Sequence, residues 1–308
     1  MSARSSKGRY SDTVTATIRQ AIEAGTEAFE MPWHGSKDRP INAVTGAAYR
    51  GVNTIVLWVH GRGKSEEWAT YRQWQSVGAQ VGRRARGKGA PISVYRPIST
   101  TASSDSDGDG APRRGFFTRY TVFNRDDVDD VPPRSPLPGA ERPDRIERAE
   151  RFVRDTGATV HVGGSRAYYD VVDDRVVMPD PERFRAETAT EAWYSVLLHE
   201  LGHWSGAPSR LDRHAFDGSY AFEELVAELA AAMLCSDLAV SLEVRPDHAA
   251  YIAGWLDLLG QHGNAFPRAC TEAENACAYL HAVVNASRTA TATTAEHGSS
   301  DAPVSAGA

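Results

Sequence analysis

The chain has 308 residues, of which 41% are hydrophobic, a length and composition that suit two soluble globular domains. No stretch reaches the eighteen or so uncharged apolar residues of a membrane span, and the N-terminus MSARSSKGRY has no apolar run behind its charges, so neither a membrane protein nor a secretory signal is expected. The net charge of −6 divides unevenly: residues 1–125 hold 19 Lys+Arg against 10 Asp+Glu, and the remainder 15 against 30, so a basic N-terminal half suggests an anionic partner for that half.

Residues 10–30 read as an amphipathic helix, with Val14, Ile18 and Ile22 at helical spacing, ended by Pro32 and Trp33. Asn42 to Gly46 reads as a turn. Asn53 to His60 is a compact apolar run, helix or buried strand. Residues 65–80 read as a helix carrying Trp68, Tyr71 and Trp74, and the Gly- and Arg-rich segment after it becomes strand-like toward Ile92, Val94 and Tyr95. Residues 99–112 are low-complexity and predict a flexible loop, after which Phe116 to Asn124 resumes a strand. The Pro-rich acidic stretch beyond it, 128–143, is the expected linker between an N-terminal domain over 1–127 and a second domain over 144–287. That second domain predicts a helix at 145–156, short strands at 168–172 and 175–178, and helices near 189–205, 220–238, 247–261 and 270–287. The Ala-, Ser- and Thr-rich residues 288–308 predict a disordered tail. Three cysteines, Cys235, Cys270 and Cys277, form no CxxC pair, which fits a reduced, cytoplasmic setting.

Chemistry concentrates in His199-Glu200-Leu201-Gly202-His203, an HExxH motif inside a strong helical pattern. Residues four apart stand on one helical face, so both imidazoles can bind one zinc ion. Glu200 is then placed as general base toward water that the metal acidifies. Catalytic zinc sites usually take a third protein ligand. Glu224 and Glu228 are one helical turn apart, and Glu224 is the preferred ligand, with Glu228 orienting a histidine ring; the reverse assignment stays open, as do Asp212 and His214. Glu223 reads as a solvated helix face. Zinc is the expected metal for histidine and carboxylate ligands, although manganese and cobalt suit the same donors.

The N-terminal half mixes basic and aromatic residues. Arg83, Arg84, Arg86 and Lys88 lie in a segment without acids, just after Trp68 and Trp74. Basic side chains follow a phosphate backbone and aromatic rings stack on unpaired bases, so these residues are candidates for binding single-stranded DNA.

Together these residues resemble the ArdC antirestriction family. The N-terminal match runs through Tyr10, Ile18, Pro32-Trp33, Asn42, Thr45-Gly46, Tyr49-Arg50-Gly51, Asn53, Leu57-Trp58, Trp68, Thr70, Gln73, Gly78 and the Gly87-Lys88-Gly89 turn. The C-terminal match runs from Met178-Pro179 through the HExxH helix and Trp204-Ser205-Gly206 to Arg210-Leu211 and Ala221-Phe222-Glu223-Glu224-Leu225-Val226-Ala227-Glu228. The resemblance implies an α+β fold of two domains, one binding single-stranded DNA and one zincin-like metallopeptidase. It also implies metal ligation by His199, His203 and a glutamate of the Glu224–Glu228 helix, and catalysis by Glu200. Arg50, inside the matching Tyr-Arg-Gly, joins the candidate DNA contacts. The implied function is protection of incoming mobile-element DNA, with an unknown protein substrate or restriction-system component as partner. Two alternatives remain: a DNA-coating protein with a structural or relict zinc site, and a metal-dependent nuclease.

Overall fold

The computed structural model describes residues 3–25, 38–97, 115–133, 145–184, 189–213, 220–240 and 248–298. They fall into two compact units, each made of two chain segments. Unit 1 comprises Met1–Pro138 and Pro246–Arg268, and unit 2 comprises Gly139–Arg245 and Ala269–Ala308.

In unit 1, helix α1 (Ala3–Gly25) is followed by β1 (Ile41–Asn42), α2 (Val52–His60), β2 (Glu67–Thr70), α3 (Tyr71–Ser76), β3 (Ala90–Pro97) and β4 (Gly115–Asn124). The sheet runs β1-β2-β4-β3, with β1 parallel to β2 and the other pairs antiparallel. Leu57 of α2 and Trp68 of β2 pack with Ala90, Ile92 and Val122 as one core cluster. The sequence reading of 65–80 as a single helix needs correction, because Thr70 is the N-cap of a capping box with Gln73 and separates the strand from the helix. The residues of the N-terminal resemblance have structural tasks. The Asn42 carboxamide oxygen accepts from the N–H groups of Val44 and Thr45, closing the turn. Asn53 holds both the Ser93 N–H and C=O, satisfying the outer edge of β3 much as another strand would.

The predicted helix over 10–30 lies at Ala3–Gly25, and Pro32 and Trp33 are outside the described residues, as is the predicted loop at 99–112. The predicted linker begins later than expected. Val128 is buried against Ala69, Trp74 and Ala79, and Asp129 exchanges backbone hydrogen bonds with Gln80.

Unit 2 contains α4 (Arg145–Asp155), β5 (Thr159–Val162), β6 (Tyr168–Asp170), β7 (Arg175–Met178), α5 (Ala189–Ser205) and α6 (Tyr220–Leu238). The strands form a second sheet in the order β5-β7-β6, with β5 parallel and β6 antiparallel to β7. Helix α6 is buried along nearly its whole length, as an all-round apolar helix must be, and α5 packs along it.

Helix α7 (His248–Gln261) differs from the sequential division read from the sequence. It packs against α1 in unit 1, where Thr15 also donates a hydrogen bond to the Gly263 carbonyl at 2.7 Å. Helix α8 (Ala265–Gly298) begins in unit 1 and continues in unit 2. The expected disordered tail is therefore helical through residue 298, since its Ala-rich composition favours helix as readily as it lacks apolar anchors.

Candidate functional site

Helix α6 is apolar, yet it buries two carboxylates, Glu224 and Glu228, to 3% and 1% exposure. Buried carboxylates are costly unless something of opposite character meets them. What meets them is the HExxH face of α5. His199 Nε2 lies 3.2 Å from His203 Nε2 and 3.5 Å from one oxygen of Glu224, whose other oxygen lies 3.5 Å from His203 Nε2. One ligand atom from each of the three residues falls within 4.8 Å of the others, the arrangement of a three-donor metal centre. Two neutral imidazoles and one carboxylate suit a divalent cation and leave a coordination position open, so the residues present fit the group. Burial raises the Glu224 pKa, but with no metal between them the hydrogen bond to His199 and attraction to the imidazoles in their protonated form bring it below the ordinary glutamate value.

The far sides of both rings meet carboxylates. His199 Nδ1 is 3.7 Å from Glu228 Oε2, and His203 Nδ1 is 3.1 Å from Glu223 Oε1. With Nε2 facing the other donors, Nδ1 of His203 is the nitrogen that carries the proton and donates it to Glu223. The sequence reading of Glu223 as a solvated face is therefore corrected. Its side chain is held by Arg213, whose Nε donates to Oε2 at 2.9 Å and whose Nη2 donates to Oε1. Burial would raise the Glu223 pKa, yet the hydrogen bonds from Arg213 and then His203 hold it at about 2. Arg213 also donates to the Gly202 carbonyl at 2.8 Å and to Ser205 Oγ, tying the fork to the last turn of α5. Sequence reasoning missed Arg213; it considered its neighbours Asp212 and His214. Asp212 is not part of the donor cluster, and His214 lies outside the described residues. A basic residue in a loop carries no sequence signal of being buried.

Glu200, next to His199 on the same helix, is 3% exposed, and among the described residues it has no hydrogen-bond partner that would occupy its carboxylate. Helices α5 and α6 can approach closely because of Gly202, where an added Cβ would sit 3.2 Å from the Ala227 Cα. Beside the site, Arg210 stacks on Trp204 at 4.0 Å and bonds to Tyr169 and Asp174, fastening the β6–β7 turn to the end of α5.

The candidate DNA contacts are less uniform. Trp68 and Trp74 are each 1% exposed, Trp68 in the core and Trp74 with its indole N–H on the Phe123 carbonyl at 3.0 Å. As folded, neither ring can stack on a base, and both assignments are withdrawn. Lys88 forms an ion pair with Asp127 at 2.8 Å, and Lys64 binds the other oxygen of the same carboxylate. That pairing ties the Gly87-Lys88-Gly89 turn to Asp127, while the Lys88 side chain stays 51% exposed. Arg50, Arg83 and Arg86 are exposed, and the Arg84 side chain lies outside the described residues.

Comparison with known proteins places this geometry. Residues 147–272 match the zincin-like metallopeptidase family, and residues 8–123 match the N-terminal domain of anti-restriction factor ArdC. The chain is 44% identical over 285 residues to the uncharacterized protein y4eC of Sinorhizobium fredii, covering 88% of this chain and 91% of that one. It is 33% identical over 297 residues to the DNA primase TraC of Escherichia coli, covering 89% of this chain but only 20% of the primase. Among solved structures, the metal-free antirestriction protein ArdC of plasmid R388 superposes with a TM-score of 0.72 at 32% identity, covering 89% of this chain and 97% of that one. Its Mn(II)-bound form gives 0.69 at 31% identity, with the same coverage.

Proposed function

Because the chain belongs to the ArdC antirestriction family and carries its zincin-like domain, we propose that it binds single-stranded DNA through unit 1 and hydrolyses peptide bonds at the His199–His203–Glu224 centre of unit 2, so protecting incoming mobile-element DNA. The protein cut would be a restriction-system component or another partner of the incoming strand. The single observation that carries the enzymatic reading is the combination of three convergent donors with a buried acid, Glu200, on the helix of the two histidines and without a hydrogen-bond partner among the described residues. A purely structural centre has no use for that acid.

A zinc ion held there would polarise a peptide carbonyl and acidify water. Glu200 accepts the proton released as water attacks and returns it to the departing amine. Glu223, clamped by Arg213, fixes the His203 ring, and Glu228 faces the His199 ring from the opposite side. The buried floor of α6 keeps bulk water from these charges.

Glu200→Gln is expected to retain stoichiometric zinc while losing peptidase activity by several orders of magnitude, measured by metal content and by cleavage of a denatured protein substrate. Full activity in Glu200→Gln would remove the catalytic reading and leave a DNA-coating protein. The nuclease alternative is set apart by labelled single strands, which should remain intact in the presence of zinc or manganese.

A further inference from the structure

With both tryptophans in the core, the aromatic surface of unit 1 lies elsewhere. The β3–β4 hairpin exposes Tyr95 at 43%, Phe117 at 49% and Phe116 at 54%. Large apolar side chains this open are unusual on a strand pair whose inner part is well packed. Tyr95 and Phe117 are direct cross-strand partners, so they project from the same face, and their rings meet edge to face with centroids 5.4 Å apart. Side chains alternate along a strand, so Ser93 and Pro91 share that face on β3, and Arg119 shares it on β4, opposite Ser93.

Further along the same face the surface becomes concave. A cavity of about 110 Å³ is lined by Pro91 and Arg119 from the hairpin, by Val14 and Ile18 from α1, and by Val59 and His60 from α2. Its walls are mostly apolar, with Thr17, His60 and Arg119 as the polar lining residues. An aromatic pair, a guanidinium and a ring-sized apolar recess thus lie in line on one face. The two strands hold Arg96 and Arg119 and no acidic residue, and the half of the chain that contains them is the basic one.

We propose that this face of the β3–β4 hairpin is the contact surface for single-stranded DNA: Tyr95 and Phe117 stack on unpaired bases, Arg119 meets the backbone phosphate, and the recess beyond it receives a base. The assignment rests on the single-strand reading of unit 1 given above. Its chemistry is sequence-tolerant, because every base offers an apolar ring face. It also discriminates against duplex, whose bases are already stacked on each other. The edge-to-face pair presents one ring for a base to lie on and a second ring to abut its edge.

The experiment uses the full chain, an oligo(dT), an abasic strand of equal length and a matching duplex. Tyr95→Ala/Phe117→Ala is expected to weaken oligo(dT) binding at least tenfold, since each lost stack is worth about 1–3 kcal/mol. On the abasic strand, wild type and the double variant should bind alike. Phe117→Tyr keeps the ring and should keep the affinity. Arg119→Ala should lower the salt slope of binding by about 0.7, one phosphate contact on a single strand. Thermal melting of each variant checks that these exposed substitutions leave the fold intact. If wild type binds oligo(dT) and the folded double variant binds it equally, this surface is refuted while the single-strand reading stands. If the loss persists undiminished on the abasic strand, stacking is refuted. If wild type binds none of the strands, the single-strand reading falls and this assignment falls with it.

Discussion

At the scale of single residues, the proposed metal centre is expected to depend on a side chain that makes no contact with its donor atoms. The Arg213 side chain is 1% exposed and spends its guanidinium on Glu223, Gly202 and Ser205. Through Glu223 it fixes the ring of His203, and outer partners of this kind typically govern metal affinity by 10–100-fold. Arg213→Lys is expected to lower zinc affinity by about that factor, because an ammonium cannot reproduce the planar fork that spans a carboxylate and a backbone carbonyl. Competition against a chromophoric chelator would measure it, and an unchanged affinity would show that Glu223 holds His203 unaided. The grouping of the two histidines with Glu224 could be read from the sequence because its parts are local: two imidazoles four residues apart on one helix and two carboxylates one turn apart on another. Arg213 could not, since its burial follows from a loop folding back over α5. Glu223 was misread for the same reason; on its own helix it looks like the outward neighbour of Glu224, and only the incoming guanidinium makes its position an inner one.

At the scale of elements, the distance between α5 and α6 sets the site. The approach is limited at Gly202, which faces the backbone of Ala227, about one turn from Glu224 and next to Glu228. Gly202→Ala tests this, because two effects oppose each other. Helix propensity favours alanine by about 1 kcal/mol, whereas forcing a methyl against a helix backbone costs about 1–3 kcal/mol. The melting temperature is therefore expected to change little, while zinc affinity falls several-fold as the Glu224 carboxylate recedes from the imidazoles. Unchanged affinity would mean that α6 tolerates the shift. Element boundaries also explain where sequence reading failed in unit 1. Trp68, Tyr71 and Trp74 suit one helical stripe, but the capping box at Thr70 divides them between a strand and a helix. Trp68 then belongs to the sheet core, and Trp74 packs with Ala69 and Val128. The missed strand β5 is short and mostly exposed, so it lacks the continuous buried apolar run that made β7 recognisable.

At the scale of the whole molecule, charge and connectivity follow different divisions. The basic half ends near residue 125, but unit 1 also requires Pro246–Arg268, whose helix α7 buries Ile252, Trp255, Leu258 and Leu259. A chain ending at Pro138 is expected to be poorly soluble and to melt at lower temperature than the full protein, because α1 loses the helix it packs on. Supplying residues 246–268 through a flexible linker should restore a sharp transition by circular dichroism. Equal stability without them would show α7 to be dispensable.

The return of α7 also has a temporal meaning. A polypeptide is made from its N-terminus, and domains generally fold as their segments emerge. Here the segment that completes unit 1 follows both α5 and α6 in the chain. The ribosome therefore releases the entire α5–α6 helix pair before the last segment of the N-terminal unit emerges. Of the two units, the one begun first is completed only after the donor residues of the other have been synthesised.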